Sequence, residues 1–257
     1  MTEHTSPQRT VVLSGVGSPR GIGRATACRF AAKGWAVAGG DLDGGAAQAL
    51  AAELRSQYGV PALGTQVDVT SPESIASFRD AVLTAELPVV GAVVPLAGVP
   101  STTPILEVTL ELWERVFAVN STGTYLLVSA FLPDMVEAGF GRVVTMSSVS
   151  AQQGGGVFSK TPYSAAKAAV LGFTRSLARE MGPHGITANA VSPGAVDTDI
   201  RAGATDPDKE AALSSSVPMG RQASVADIAA LIDFLASEDA GYITGTTVNI
   251  NGGSYIA

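Results

Sequence analysis

Short apolar runs alternate with longer amphipathic stretches along the whole chain, and this alternation constrains the fold more than any other feature. Runs of strand length fall at residues 10–14, 35–41, 62–69, 89–97, 141–148, 186–192 and 246–251. Stretches of helix length fall at 21–33, 44–58, 72–85, 110–138, 162–181 and 225–236. The short runs are rich in Val and Ala and do not alternate with polar residues, as expected for strands covered on both faces. The pattern specifies an α/β fold, a parallel sheet of about seven strands with helices on both faces. No Pro/Ser linker, composition shift or internal repeat divides it, so residues 10–257 are expected to form one domain behind a flexible polar tail at 1–9. Residues 197–218 are small, polar and without a clear period, and read as a substrate lid.

Composition narrows the function. Of the 257 residues 46% are hydrophobic and 15% charged, enough for a sizeable core and against disorder. A net charge of −7 argues against nucleic acid or an anionic membrane as partner. The lone Cys28 excludes an intrachain disulfide and reads as a small core residue. The longest charge-free apolar candidate, 89–100, is interrupted by Pro95 and too short to span a bilayer. The N-terminus lacks an apolar secretory core, and the expectation is a soluble, cytoplasmic protein.

Between the first strand and first helix lies Ser14-Gly15-Val16-Gly17-Ser18-Pro19-Arg20-Gly21-Ile22-Gly23. Glycines there let the backbone approach a pyrophosphate, and the helix N-terminus supplies N–H donors and a positive dipole end. The second strand ends in Asp41, eighteen residues past Gly23, followed by Leu42. A carboxylate at that place would accept hydrogen bonds from an adenosine ribose. It would also oppose a 2′-phosphate, since like charges about 4 Å apart repel by roughly 4 kcal/mol at an effective dielectric near 20. Arg20 pulls the other way, because a guanidinium in the loop could grip a 2′-phosphate. Asp41 sits at the better defined position, so NAD is expected, with NADP as the alternative.

Thr161-Pro162-Tyr163-Ser164-Ala165-Ala166-Lys167 opens the fifth helical stretch. With Thr161 as N-cap and Pro162 first in the helix, Tyr163 and Lys167 share one face. A phenol has a pKa of about 10, and a nearby ammonium and the helix dipole would both lower it. A phenol so tuned could exchange a proton with an alcohol or ketone oxygen.

Taken in order, these motifs resemble the short-chain dehydrogenase/reductase family over nearly the whole chain, in particular its 3-oxoacyl reductases. The glycine motif is similar to Ser14-Gly15…Gly21-Ile22-Gly23, the adenine-contacting pair to Asp68-Val69, and the relay Asn to Asn120 in Phe117-Ala118-Val119-Asn120. The catalytic Ser resembles Ser148 in Thr145-Met146-Ser147-Ser148-Val149, and Tyr163 to Lys167 is the family's Tyr-x-x-x-Lys. Ser192-Pro193-Gly194-Ala195-Val196-Asp197-Thr198 is similar to its Pro-Gly motif, and Tyr242-Ile243-Thr244-Gly245 with Val248-Asn249-Ile250-Asn251-Gly252-Gly253 to its C-terminal signature. Three departures stand out. The glycine loop has five residues between Gly15 and Gly21 where the family usually has three; Pro95-Leu96-Ala97-Gly98 replaces Asn-Asn-Ala-Gly; and the stretch from Ser148 to Tyr163 is about two residues longer. The last leaves Ser147 and Ser150 as rivals to Ser148.

The resemblance implies a Rossmann-type doubly wound sheet and hydride transfer between a nicotinamide and a secondary alcohol or ketone. Tyr163 would be the general acid/base, with Lys167 lowering its pKa and binding the nicotinamide ribose. Ser148 would hold the substrate oxygen, with Ser150 and Gly194 beside it, and Asn120 would anchor a water leading from Lys167 to solvent. Gly15, Arg20, Gly21, Ile22, Gly23, Asp41, Leu42, Asp68, Val69, Ala97, Gly98, Pro193, Gly194, Val196 and Thr198 would hold the dinucleotide, together with Tyr163 and Lys167. Val99, Ala151 and Gln152 would flank the substrate. No metal is implied; His4 and His184 read as surface residues, Trp35 and Trp113 as packing residues. A homotetramer built through the 110–138 and 162–181 helices is expected. Two alternatives are a catalytically silent dinucleotide-binding protein and an enoyl reductase; the latter spaces its Tyr and Lys more widely.

Overall fold

The computed structural model describes residues 8–156, 159–199 and 213–256. Seven parallel strands form one sheet: β1 (Thr10–Ser14), β2 (Ala36–Asp41), β3 (Ala62–Gln66), β4 (Val90–Pro95), β5 (Gly141–Met146), β6 (Ile186–Pro193) and β7 (Thr247–Ile250). Their order is β3-β2-β1-β4-β5-β6-β7, so the winding reverses between β1 and β4. A crevice opens at such a reversal, outside the carboxyl ends of the strands. The glycine loop and Asp41 lie on one side of it, the ends of β5 and β6 on the other.

The helices are α1 (Ile22–Ala32), α2 (Gly44–Tyr58), α3 (Pro72–Thr84), α4 (Leu110–Phe117), α5 (Gly123–Ala138), the short α6 (Ser150–Gln153), α7 (Thr161–Met181) and α8 (Val225–Ala236). Adjacent strand residues point to opposite faces, which builds two cores. Val11 and Leu13 pack with Phe30, Leu50, Leu54, Ile228 and Ile232. Val12 packs on the other face with Phe78, Val93, Leu127, Phe131 and Met135. Each large side chain so buried contributes about 1.5–3 kcal/mol.

Helix ends follow local chemistry. Asp43 accepts from the Ala46 N–H at 3.0 Å and caps α2, whose far end is Gly59 at φ 67. Ser224 and Asp227 form a reciprocal capping box on α8. The expected Thr161 cap does not form: Lys160 is the N-cap of α7, without a side-chain bond, and Thr161 is the first helical residue. The strand expected at 62–69 stops at Gln66, because Asp68 turns its carboxylate onto the Thr70 N–H and hydroxyl.

The helix expected at 110–138 is continuous but passes through a π turn, Ala118–Thr122, between α4 and α5. By length and composition this span could cross a membrane. Here Leu127, Val128, Phe131 and Met135 on it are fully covered within the second core.

Pro95 sits where a missing N–H does least harm. It ends β4 in register with Ser14, and the β4–β5 ladder pairs only Ala92 with Arg142 and Val93 with Val143. The Ser14 hydroxyl accepts from the N–H groups of Leu96 (3.1 Å) and Ala97 (3.2 Å) and fastens the chain beyond.

Of the expected tail at 1–9, residues 1–7 lie outside the described residues. Arg9 belongs to the body: it pairs with Glu238 at 2.8 Å and stacks 3.6 Å from the Phe140 ring centroid. Of the expected lid at 197–218, residues 200–212 lie outside the described residues. Its described start is tied in by parallel pairing of Val196 with Ala223.

Candidate active site

The crevice holds two adjoining cavities. The first, of about 510 Å³, is lined by the glycine loop, Asp41, Leu42, Asp68, Val69, Ala97 and Gly98. Close backbone packing shapes it. Gly15 has φ +72, and a Cβ there would meet the Ala97 N at 2.7 Å; at Gly23 it would lie 2.1 Å from the Gly15 carbonyl oxygen. Only glycine fits both places. Gly21, the N-cap of α1, makes no side-chain cap bond, and no acidic residue occupies the first turn. That turn therefore offers uncommitted N–H donors to an anion. Asp41 is held by backbone donors outside that turn: the Gly17 N–H donates to it at 2.8 Å and the Asp43 N–H at 3.0 Å. Thr70 donates to Asp68 and holds its carboxyl below the usual range.

Arg20 does not face this adenosine end. Its guanidinium pairs with Asp197, and its Nε lies 3.8 Å from Asp199. Among the described residues, the charged groups lining the first cavity are Asp41, Asp68, Asp199 and Arg115. Their balance disfavours two further negative charges at the ribose.

The second cavity, of about 440 Å³, is lined by Ser148, Ser150, Tyr163, Lys167, Pro193, Gly194, Val196 and Thr198. The Ser148 hydroxyl hydrogen-bonds the Tyr163 phenol and accepts from the Ser150 N–H at 3.2 Å. Its rivals are engaged elsewhere. Ser147 donates to the Lys167 carbonyl at 2.9 Å, and Ser150 shares a 2.7 Å bond with Ser159. Lys167 donates its ammonium to the Met146 carbonyl at 2.9 Å and lies 5.7 Å from the Tyr163 ring centroid. Asn120, fully buried in the π turn, donates to the Val116 and Val99 carbonyls at 2.9 and 3.0 Å. Among the described residues its Oδ1 has no hydrogen-bond partner. A Cβ on Gly98 would meet that oxygen at 2.9 Å and the Lys167 Nζ at 3.7 Å, so Gly98 keeps the space between them open.

Electrostatics correct one expectation. Burial pushes the Tyr163 phenol up to about 12, against the pull of the Ser148 hydrogen bond. Burial also brings the Lys167 ammonium down to about 8. In the protein alone the ammonium does not acidify the phenol; desolvation outweighs it.

A Ser–Tyr pair with a buried Lys one turn along, opening onto a glycine-lined anion cradle, invites comparison with known proteins. A family model described as enoyl-(acyl carrier protein) reductase matches residues 15–255. The chain belongs to the short-chain dehydrogenase/reductase family. It is similar to a short-chain type dehydrogenase/reductase of Sinorhizobium fredii, 40% identical over 96% of this chain and 98% of that one. It is also similar to the 3-oxoacyl-[acyl-carrier-protein] reductase of Haemophilus influenzae, 39% identical over 94% of this chain and 96% of that one. A crystal structure of a 3-oxoacyl-[acyl-carrier protein] reductase with bound NAD from Brucella melitensis superposes with a TM-score of 0.88 at 31% identity, covering 97% and 92% of the two chains.

As in other short-chain dehydrogenases/reductases, the sheet brings together residues far apart in sequence. Eighteen of the twenty site residues expected from sequence line one cavity or both, while Arg20 and Asn120 do not. Gln152 also turns away, accepting from the Ser192 hydroxyl at 3.0 Å, and Gln153 lines the cavity in its place. Ser18, Leu96, Arg115 and Ser159 line the crevice without having been singled out. Two of these carried a signal, Ser18 in the lengthened loop and Leu96 in the altered Asn-Asn-Ala-Gly motif.

Proposed function

We propose that the protein is an NAD-dependent oxidoreductase that interconverts a ketone and a secondary alcohol, with a 3-oxoacyl compound as the favoured substrate class. One observation carries this reading: Ser148 and Tyr163 join hydroxyls beside buried Lys167, in a cavity continuous with a glycine-lined cleft. The names of the Haemophilus and Brucella relatives support the substrate class.

The first cavity suits the adenosine half of a dinucleotide, with Asp41 on the ribose diol and the first turn of α1 on the pyrophosphate. Lys167 and Thr198 suit the nicotinamide half. A bound nicotinamide supplies or accepts the hydride. Ser148 holds the substrate oxygen and stabilises the charge that develops on it. Tyr163 stays protonated near pH 7, the form that a proton donor to a ketone needs. The reverse direction needs the phenolate and quickens as pH rises. The unpartnered Oδ1 of Asn120 supports reading it as the anchor of a water between Lys167 and solvent. Asp41, and the engagement of Arg20 by Asp197 and Asp199, support NAD over NADP. We read the protein as cytoplasmic and as a homotetramer joined through α5 and α7, where Tyr125 is exposed beside a 260 Å³ hollow.

The test is a panel of 3-oxoacyl esters and thioesters and of secondary alcohols, assayed with NADH and NADPH or their oxidised forms. Turnover should appear with NADH and fall about 10²–10⁴-fold in Tyr163→Phe. Equal turnover by wild type and variant would mean that the chain binds dinucleotide without catalysis.

A further inference from the structure

The glycine loop ties the two walls of the crevice together. Its Gly17 N–H is anchored on Asp41. The Gly21 N–H then donates back to the Ser18 carbonyl at 3.0 Å, closing a turn from which Ser18 and Arg20 reach the segment after β6. The Ser18 hydroxyl donates to Asp199 at 2.9 Å, and the Arg20 N–H donates to the same carboxylate oxygen at 3.1 Å. The Arg20 guanidinium pairs with Asp197. The far side is anchored too, since the Asp197 N–H donates to the Ala223 carbonyl at 3.0 Å and the Ala223 N–H to the Ala195 carbonyl at 2.9 Å. Ile22 and Thr198, neighbours of these contacts in the chain, line both cavities. The contacts therefore cross the waist where one cavity joins the other.

We propose that Ser18, Arg20, Asp197 and Asp199 form a clasp that closes over the middle of a bound dinucleotide and sets how fast it leaves. The inference rests on the dinucleotide reading above. A ligand reaching from Asp41 to Lys167 passes beneath these side chains. Asp197 and Asp199 would repel a pyrophosphate, and Arg20 neutralises them while joining the walls. The side chains of Arg20, Asp197 and Asp199 are 61%, 69% and 40% exposed. Such pairs are individually weak and salt-sensitive, as suits a contact that parts in every turnover.

The experiment is release of NADH, followed by its fluorescence in a stopped-flow chase with excess NAD. Arg20→Gln and Asp197→Asn should each speed release about fivefold, and the double variant no more than either, because both break the same ion pair. Salt at about 0.5 M should speed release from wild type and leave the double variant unchanged. Thermal melts of the variants check that they remain folded. Release within about twofold of wild type in all variants would overturn the clasp. Faster release from Arg20→Gln with slower release from Asp197→Asn would also overturn it, making Arg20 a phosphate ligand. If NADH shows no saturable binding to wild type, the dinucleotide reading fails, and the clasp with it.

Discussion

At the β1–β2 end of the crevice the polar groups are carboxylates, Asp41 and Asp68, partly open to solvent and held by backbone N–H and Thr70. At the β5–α7 end they are hydroxyls and one ammonium. Ser148 and Lys167 there are buried, and Lys167 is held by a backbone carbonyl. Burial displaces both Tyr163 and Lys167 toward their neutral forms, whereas Asp68 is displaced toward its charged form by hydrogen bonds. One end is built to recognise a polar ligand by fixed charge. The other is built to make proton exchange sensitive to whatever charge arrives, because a desolvated site amplifies each added charge.

The sharpest way to break this contrast is to remove hydroxyls one at a time at the buried end. Ser148→Ala should lower kcat about 10²–10³-fold, since it removes a donor aimed at the developing oxyanion. Ser150→Ala should cost less than about tenfold, because its hydroxyl is spent on Ser159. Equal losses in the two variants would mean that the hydroxyl facing Tyr163 has no special role.

Lys167 tests the desolvation itself. It titrates near 8 in the folded protein against an ordinary value of 10.5. Between those pH values the unfolded chain holds a proton that the folded chain has released, so stability rises with pH. Below 8 both states are protonated and the buried charge is a standing cost. Tyr163, raised to about 12, gives the opposite slope above pH 10 and leaves the window from 8 to 10 to Lys167. Urea denaturation of wild type and Lys167→Met should show wild type gaining on the order of 2–3 kcal/mol relative to the variant across that window. A flat difference would mean that the ammonium is solvated.

At the recognition end, Asp41→Ser should shift the ratio of NADPH to NADH affinity toward NADPH by about thirtyfold. Fluorescence titration measures it, and an unchanged ratio would transfer cofactor choice to other groups.

Much of this contrast was legible from residue order. The strand and helix runs and the Tyr163–Lys167 pairing follow from local periodicity and spacing, whereas the reversal of winding was implied only by the family resemblance. The π turn at Ala118–Thr122 did not, because the helical run passes through it unbroken and only the burial of Asn120 marks it. The choice among Ser147, Ser148 and Ser150 depended on which hydroxyls found partners, and those partners, Lys167 and Ser159, come from beyond the loop. The direction of the Tyr163 shift was missed for a related reason. Spacing brings an ammonium near but says nothing of how much water the fold removes.

The Pro95-Leu96 departure gives the smallest effect and the finest test. Two Asn amides are missing from the end of β4, yet the backbone there is fixed, because Ser14 accepts from both the Leu96 and Ala97 N–H groups. Leu96 itself packs against the core between the sheet and α1. Ser14→Ala should therefore destabilise the fold by about 1–2 kcal/mol, leaving two partly buried donors without an acceptor. Leu96→Asn, which restores the commoner residue, should destabilise by about 1 kcal/mol through lost apolar contact and should not raise kcat. If Leu96→Asn instead stabilises the protein or quickens turnover, the hydroxyl of Ser14 is not an adequate replacement, and the recognition end owes its rigidity to something other than that single side chain.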